Sequence, residues 1–392
     1  MAAVHRVLIQ GGGVGGLTLA AALGQRGIEV DVVEASGPDA VLGVGLSQPN
    51  NALAALDEIG VRDACLEVGF PFEPLAIWNP AGVQVAAIPP ADGRYGKPSN
   101  NAIGRPVYNR ILRDAAEKAG ARIRTGATVW DMTEDADGVE VELATWTGKR
   151  TPPVRDLGTA SNRYDLVVGF DGLNSRIREH LFGDRYTPVY TGSACWRVTM
   201  PRPADLTHIA FAISGPAKAV LTPISDAQMY VGLVTPEPGN PRFDSADFVR
   251  LVKERMQGFS GRIGEMRDNI TEDSYVSYAP LYHVTVREPW FRGRIAIAGD
   301  AAHTSTPHMA QGAAMAVEDA VTLAAALDEH QTLDRALDSW FHRRRDRALF
   351  VADMSLALLK QESGGDDLTP DEAELLELGI PGAQARIAQE AY

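Results

Sequence analysis

Apolar and polar positions change rhythm along this chain, and each change marks an element. Val7-Leu8-Ile9 is a short apolar run that ends in a glycine-rich stretch, Gly11 to Gly16. Leu19, Ala20 and Leu23 then recur at helical spacing until Gly27 stops them, and Ile28 to Val33 reads as a second strand closing on Glu34. Pro49 to Ile59 and Arg105 to Gly120 carry further helical stripes, each ended by a glycine. Leu75 to Ile88 predicts a hairpin around Asn79-Pro80-Ala81-Gly82, and Arg122 to Trp130 and Val139 to Ala144 predict strands. Gly37-Pro38, Gly43 to Gly45, Ala91 to Asn101 and Thr147 to Arg163 read as turns or loops. Tyr164 to Phe170 is an unbroken apolar run, the mark of a strand buried on both faces.

From Tyr186 to about Val284 the texture becomes β-rich, with strands expected at 194–199, 208–213, 219–223, 229–234 and 276–281. One helix, Ser245 to Met256, interrupts them. Arg294 to Ala298 returns to a buried strand, followed by a helix through Leu327 and a charged helix from Leu333 to Leu358. Thr369-Pro370-Asp371-Glu372 starts a last helix, with a threonine cap and proline in its first turn. Strands and helices alternate at both ends around a β-rich middle, which predicts an α/β fold with a second, mixed-sheet lobe.

Composition narrows the class. A chain of 392 residues with 45% hydrophobic and 22% charged positions forms a globular protein of about two lobes. A formal net charge of −14 argues against nucleic-acid binding, though a local pocket can still oppose the global sign. Cys65 and Cys195 have neither metal-site nor disulfide spacing, so no metal is expected and a reducing cytoplasm fits. No signal-peptide pattern and no membrane-length apolar run is seen.

The opening βαβ unit carries the first candidate chemistry. In Gly11-Gly12-Gly13-Val14-Gly15-Gly16, Gly11 permits a tight turn, Gly13 lets a pyrophosphate approach the backbone, and Gly16 lets helix pack on strand. The helix start offers free N–H groups and a positive dipole end to phosphates. Glu34, followed by Ala35, stands where a carboxylate accepts hydrogen bonds from ribose hydroxyls. This unit alone does not separate NAD from FAD. Two later stretches repeat the strand-turn-helix logic. One is Val167-Val168-Gly169-Phe170-Asp171-Gly172, running on through Ser175 and Arg178. The other is Ile295-Ala296-Ile297-Ala298-Gly299-Asp300, running on through His303, Pro307 and Gln311-Gly312 to Glu318-Asp319. Either aspartate alone reads as a turn or cap residue. Three such turns in this order carry more weight than any one.

On these motifs residues 5 to 350 resemble the FAD-dependent aromatic hydroxylases, the single-component flavoprotein monooxygenases of salicylate- and 4-hydroxybenzoate-hydroxylase type. The resemblance implies a Rossmann-like, glutathione-reductase-type FAD-binding domain built from 1–74, 101–185 and 285–355. It also implies a mixed β-sheet substrate domain from 75–100 and 186–284, with a C-terminal helical tail from 356 to 392. It assigns the ADP half of FAD to Gly11, Gly13, Gly16 and Glu34, a flavin-side contact to Arg105, and a shared FAD and nicotinamide role to Asp171 and Gly172. Gly299 and Asp300 take the ribityl chain. Pro307 to Ala313 lies beneath the flavin pyrimidine ring, where the helix start at Gln311-Gly312-Ala313 stabilises reduced flavin. Ala310 stands where many relatives have glycine.

The implied reaction uses NAD(P)H and O2, passes through a flavin C4a-hydroperoxide, and hydroxylates a small activated aromatic or N-heteroaromatic ring. Alternatives on the same scaffold are epoxidation, a natural-product (polyketide-like) substrate, or a non-catalytic flavin protein. The protein is expected as a monomer or homodimer. For the substrate lobe, Arg197 is a candidate partner for a substrate carboxylate and Tyr230 for a phenol. His303 is a candidate near flavin or substrate, and Trp196, Phe211, Tyr278 and Gln48 are candidate pocket residues.

Overall fold

In a computed structural model, the described residues are 3–37, 44–89, 98–146, 148, 153–155, 162–364 and 367–392. The turn expected at Pro38, the loop at Gly43, and most of the loops at 91–101 and 147–163 lie outside them.

The first unit is β1 (Arg6–Gln10), α1 (Val14–Gly24) and β2 (Glu29–Glu34). From Gly15 to Leu23 every residue of α1 is buried, as befits a helix apolar on all sides. Next come α2 (Asn50–Glu58), α3 (Arg105–Lys118), β3 (Leu166–Gly169) and α4 (Arg176–Phe182). A small antiparallel sheet of Gly45–Pro49, Asn100–Gly104 and Phe70–Phe72 forms where the sequence reading expected no strand. Its strands are rich in Gly, Pro and Asn, and only partners distant in sequence make them extended.

The second lobe contains β4 (Val189–Pro201), β5 (Ile209–Ser214), β6 (Ala217–Pro223), β7 (Gln228–Pro236) and β8 (Val276–Thr285). They lie in the order β8-β4-β7-β6-β5, and the expected hairpin strands Leu75–Trp78 and Gln84–Ile88 complete the sheet. All neighbours are antiparallel except β5 with Leu75–Trp78. Residues alternate between its faces. Trp196, Val198, Ala219, Leu221, Val231 and Leu233 pack with helix Phe248–Arg255 and with Gly261–Asp268, a helix absent from the sequence reading. The residues between them face the other lobe.

The chain then returns through β9 (Ile295–Ile297), α5 (Gly312–Glu329) and α6 (Leu333–Glu362). It ends in helix Pro370–Glu377, which carries a full Thr369–Glu372 capping box, and α7 (Gly379–Gln389). α6 runs unbroken through the boundary expected at 355. Ala383 and Ile387 of α7 join the same core as β1, β2 and β3, so the tail folds back onto the first lobe.

The central sheet fixes where a ligand can sit. Its order is Phe291–Arg292, β9, β3, β1, β2, Arg122–Thr125, parallel except at the 291–292 edge. β1 has β2 on one side and β3 on the other, so the strand order reverses there, and the crevice opens at the strands' carboxyl ends. The glycine turn, the Phe170–Gly172 turn and the Gly299–Asp300 turn all leave that same edge.

Candidate functional site

One cavity of about 640 Å³ lies between the lobes, bordered by the three turns, the inner face of the β4–β8 sheet, and α7. Its first wall is the glycine turn. Gly11 has φ +113°, and a Cβ there would meet the Phe170 carbonyl at 2.2 Å. A Cβ on Gly16 would meet the Gly11 carbonyl at 1.9 Å. Both glycines are demanded by backbone packing behind the cavity. Gly13, Val14 and Gly15 border it, and a Cβ on Gly13 would meet nothing within 4 Å. α1 has no side-chain cap at its N-terminus, and neither has α5 at Gln311; both helix starts face the cavity with N–H groups in want of acceptors.

Glu34 borders the cavity, where its carboxylate accepts the Gly12 and Ser36 amides, each at 2.7 Å. Ala35 is not among the bordering residues. Arg105, Asn109 and Arg113 line one face of α3 at successive turns, and Asn109 Nδ2 donates to the Gly12 carbonyl at 3.2 Å. The i, i+4, i+8 spacing in the sequence could have flagged the latter two. Burial pushes the Arg105 guanidinium down, while Asp300 opposes that shift. Asp300 opens into the cavity; burial pushes its carboxyl up, held back by His303 and Arg105.

The other aspartate faces elsewhere. Asp171 Oδ2 accepts the Arg176 and Ile177 amides at 2.8 and 3.2 Å and Gln10 Nε2 at 3.3 Å, so its carboxylate caps α4. Only Gly172 of that pair borders the cavity. Arg178, buried beyond it, donates to the Leu173 carbonyl at 2.7 Å and the Ala301 carbonyl at 3.0 Å, tying the second turn to the third.

His303 lies behind the third turn rather than in the cavity. Its Nε2 is 2.6 Å from Asp319 Oδ2, and its ring sits 4.9 Å from that of Trp290. Asp319 Oδ2 also accepts the Gly299 amide at 2.9 Å. Arg344 pairs with Asp319 at 2.8 Å and with Glu318 at 2.6 Å. Glu318 also receives Arg347 at 2.8 and 2.9 Å, and Asn51 Nδ2 at 2.6 Å. Asn51 Nδ2 reaches Gln311 Oε1 at 3.0 Å as well, fixing an amide on the cavity wall. Arg347 further donates to the Ile387 carbonyl at 2.8 Å, which anchors α7. Two arginines, two carboxylates and a histidine thus form one buried network beneath α5. Nothing in the Glu318-Asp319 dipeptide alone announces it.

The sheet supplies the opposite wall. Cys195 and Arg197 of β4, Phe211 of β5, Lys218, Val220 and Thr222 of β6, and Tyr230 and Gly232 of β7 all face the cavity. Arg197 pairs in register with Gly232, and Gly232 with Val220, so one row lacks a side chain at its middle. Beside Arg197 lie the Cys195 thiol and the Tyr230 phenol. Burial pushes the Tyr230 phenol up; Thr222, Arg197 and Arg105 oppose it. Trp196 and Tyr278 pack on the far face with ring centroids 4.5 Å apart and planes tilted 45°, a placement that strand alternation requires once Arg197 faces inward. Gln48 also turns away, its Oε1 accepting from Asn101 Nδ2 at 2.7 Å.

Three glycine-bearing turns at one sheet edge, two uncapped helix starts and a facing antiparallel sheet define a two-lobed flavin-dinucleotide-binding protein. The family profile described as FAD binding domain matches residues 5–355, and the chain belongs to that family. It is similar to YetM of Bacillus subtilis strain 168, 32% identical over 377 residues, 93% of this chain and 97% of YetM. It is 28% identical over 342 residues to 6-hydroxynicotinate 3-monooxygenase of Bordetella bronchiseptica, covering 84% of this chain and 85% of that protein. The crystal structure of Klebsiella pneumoniae HpxO with FAD and uric acid superposes with a TM-score of 0.83 at 23% identity, over 97% of this chain and 96% of that one, and shares its fold. The chain is an FAD-dependent flavoprotein monooxygenase, and NAD(P)H is the usual reductant of its family. Among the described residues no helix is long and apolar enough to cross a membrane.

Proposed function

We propose that this enzyme hydroxylates a small aromatic or N-heteroaromatic anion, activated by a ring hydroxyl or amino group and held against the β4–β8 sheet by Arg197. The observation that carries this reading is the setting of Arg197. Its guanidinium faces the cavity, and among the described residues the titratable groups that act on it are the Cys195 thiol, the Tyr230 phenol and the Arg105 guanidinium, not a carboxylate. A cation in a sheltered cavity, with no acidic partner among the described residues, favours an anionic ligand. The 6-hydroxynicotinate named for one relative is a ring acid of this kind.

The bordering residues also fit FAD. The uncapped start of α1, with open space at Gly13, would take the pyrophosphate, and Glu34 the adenosine ribose. Asp300 and Arg105 would hold the ribityl and flavin side, and the start of α5 at Gln311 to Ala313 would face the pyrimidine edge. Gly172 would lie against the same cofactor, with Asp171 fixing its turn from α4. Bound there, FAD supplies hydride acceptance from NAD(P)H and activation of O2.

The protein's own part is to orient the ring and keep water from it. Arg197 binds the acid group. Tyr230, its phenol raised by burial, keeps its proton at neutral pH and donates a hydrogen bond to the ring oxygen instead of acting as a base. His303 acts through Asp319 on the third turn, not on substrate. Buried, unpaired Cys65 and Cys195 suit a reducing cytoplasm.

A panel of phenols, aminobenzoates and pyridinols, screened for stimulated NAD(P)H consumption and product mass, tests the reading. Ring acids should stimulate and gain one oxygen. Arg197→Ala should raise KM for acids by about 10- to 100-fold, as loss of a charged hydrogen bond would, and leave neutral phenols and flavin content unchanged. Equal losses for both ring classes would remove Arg197 as the anion partner, and no stimulation by any ring would remove the substrate class. A second reading, a larger natural-product substrate, draws on the apolar wing of the cavity at Phe72, Leu75, Ile88 and Ile209. Tighter binding with longer apolar substituents would support it.

A further inference from the structure

A second group of polar side chains borders the same cavity one sheet row from Arg197. Cys195, Val234 and Lys218 form that row across β4, β7 and β6. Lys218 Nζ donates to Glu362 Oε1 at 2.6 Å, and Glu362 is the last residue of α6. His308, from the loop that precedes α5, completes the group.

Hydrogen bonding fixes the tautomer of His308. Thr306 Oγ1 donates its one hydrogen to the Ser355 carbonyl at 2.8 Å. It must therefore accept from His308 Nδ1–H, 2.9 Å away. In a neutral imidazole that leaves Nε2 bare. Nε2 lies 3.4 Å from Glu362 Oε2, and both atoms are buried without a hydrogen-bond partner. Two lone pairs face each other across this gap, and unpartnered buried polar atoms are costly. A single added proton would join them.

We propose that the gap between His308 and Glu362 is a proton-binding site coupled to the anionic ligand, so that an anion bound at Arg197 draws one proton onto His308 Nε2. The inference rests on the anionic-substrate reading above. Without ligand, burial pushes His308 below its usual value; Glu362 raises it and Lys218 lowers it. Among the described residues those are the two charged groups facing it, and their charges are opposite. An anion bound at Arg197 adds one negative charge to the same cavity, which favours the imidazolium. The new N–H bond takes its proton from a buffer acid, and the imidazolium then donates to Glu362 Oε2. When the anion leaves, the proton returns to solvent.

Titration calorimetry of the flavin-loaded protein with 6-hydroxynicotinate, in phosphate and in Tris at neutral pH, counts protons taken up per ligand. Wild type should take up about one. Glu362→Gln should take up almost none, because its amide supplies the hydrogen to Nε2 while its carbonyl still accepts from Lys218. Wild-type affinity should weaken by up to about tenfold per pH unit as pH rises from the free-state to the bound-state pKa of His308, the range in which one proton is taken up, and the variant should stay flat. Flavin content and urea unfolding of the variant establish that it is folded. Binding without proton uptake, or equal uptake in both proteins, would overturn the coupling alone. Failure of every ring acid to bind wild type would overturn the anionic reading and the coupling with it.

Discussion

Asp319 Oδ2 lies 2.6 Å from His303 Nε2 and also holds the Gly299 amide at 2.9 Å, so one buried carboxylate fixes the turn that delivers Asp300 to the cavity. Burial alone would raise the Asp319 carboxyl. His303 and Arg344 outweigh it and hold the carboxyl at about 2. A folded pKa below the unfolded one means that the ionised form contributes stability fully present above roughly pH 4, lost as pH falls through about 2. Asp319→Asn should cost about 3–5 kcal/mol at neutral pH, since Arg344 loses a buried partner. In urea unfolding its gap from wild type should narrow as pH falls across that range. A gap independent of pH would show that ionised Asp319 contributes nothing.

Asp300→Ala should fold normally and lose flavin. The Asp300 carboxylate faces the cavity, and the bond that ties this residue to its neighbour, from the Thr304 hydroxyl, goes to its backbone carbonyl. The flavin-to-protein ratio after desalting should drop at least about tenfold, the loss of roughly one charged hydrogen bond. A fully loaded variant would exclude the ribityl role.

Gly232→Val should narrow the substrate space without disturbing the flavin. A Cβ at Gly232 meets the Tyr230 ring at an ordinary 3.5 Å, so the sheet tolerates it, but it fills the empty centre of the Arg197 row. Substrate KM should rise about tenfold or more with flavin content unchanged. Unchanged KM would mean that the ring lies elsewhere along the sheet.

Ala310→Gly should stabilise the protein. Ala310 has φ +54°, a left-handed conformation that costs an alanine about 1–2 kcal/mol. Glycine removes that strain but loses more entropy on folding, for a net gain of about 0.5–1 kcal/mol in denaturant unfolding. A destabilised variant would show that the alanine methyl makes contacts worth more than the strain.

Much of the first lobe is readable from the chain because its signals are local. Gly11 is required by the positive φ of its own turn and Gly16 by its contact with the Gly11 carbonyl, both within one βαβ unit, and Glu34 follows from the length of β2. The apolar run ending at Phe170 announces a strand buried on both faces. The Gly45–Pro49 and Asn100–Gly104 strands were illegible because neither has a strand-forming composition, and each is extended through pairing with strands distant in sequence.

Asp171 and Asp300 look alike in the sequence, each in an Asp-bearing turn after a buried strand. Only the packing of α4 against one, and of the His303–Asp319–Arg344 network behind the other, turns the first carboxylate inward and leaves the second facing the cavity.

The sequence by itself determined the three turns, their order and a dinucleotide site, because a tight turn or a helix start constrains residues a few positions apart. Tertiary structure decided the rest: which side chains share a row across β4, β7 and β6, that α7 returns to wall the cavity, and that His308 meets Glu362. Those relations join residues dozens to hundreds of positions apart. They depend on strand register and helix packing, and no local preference of the chain encodes either.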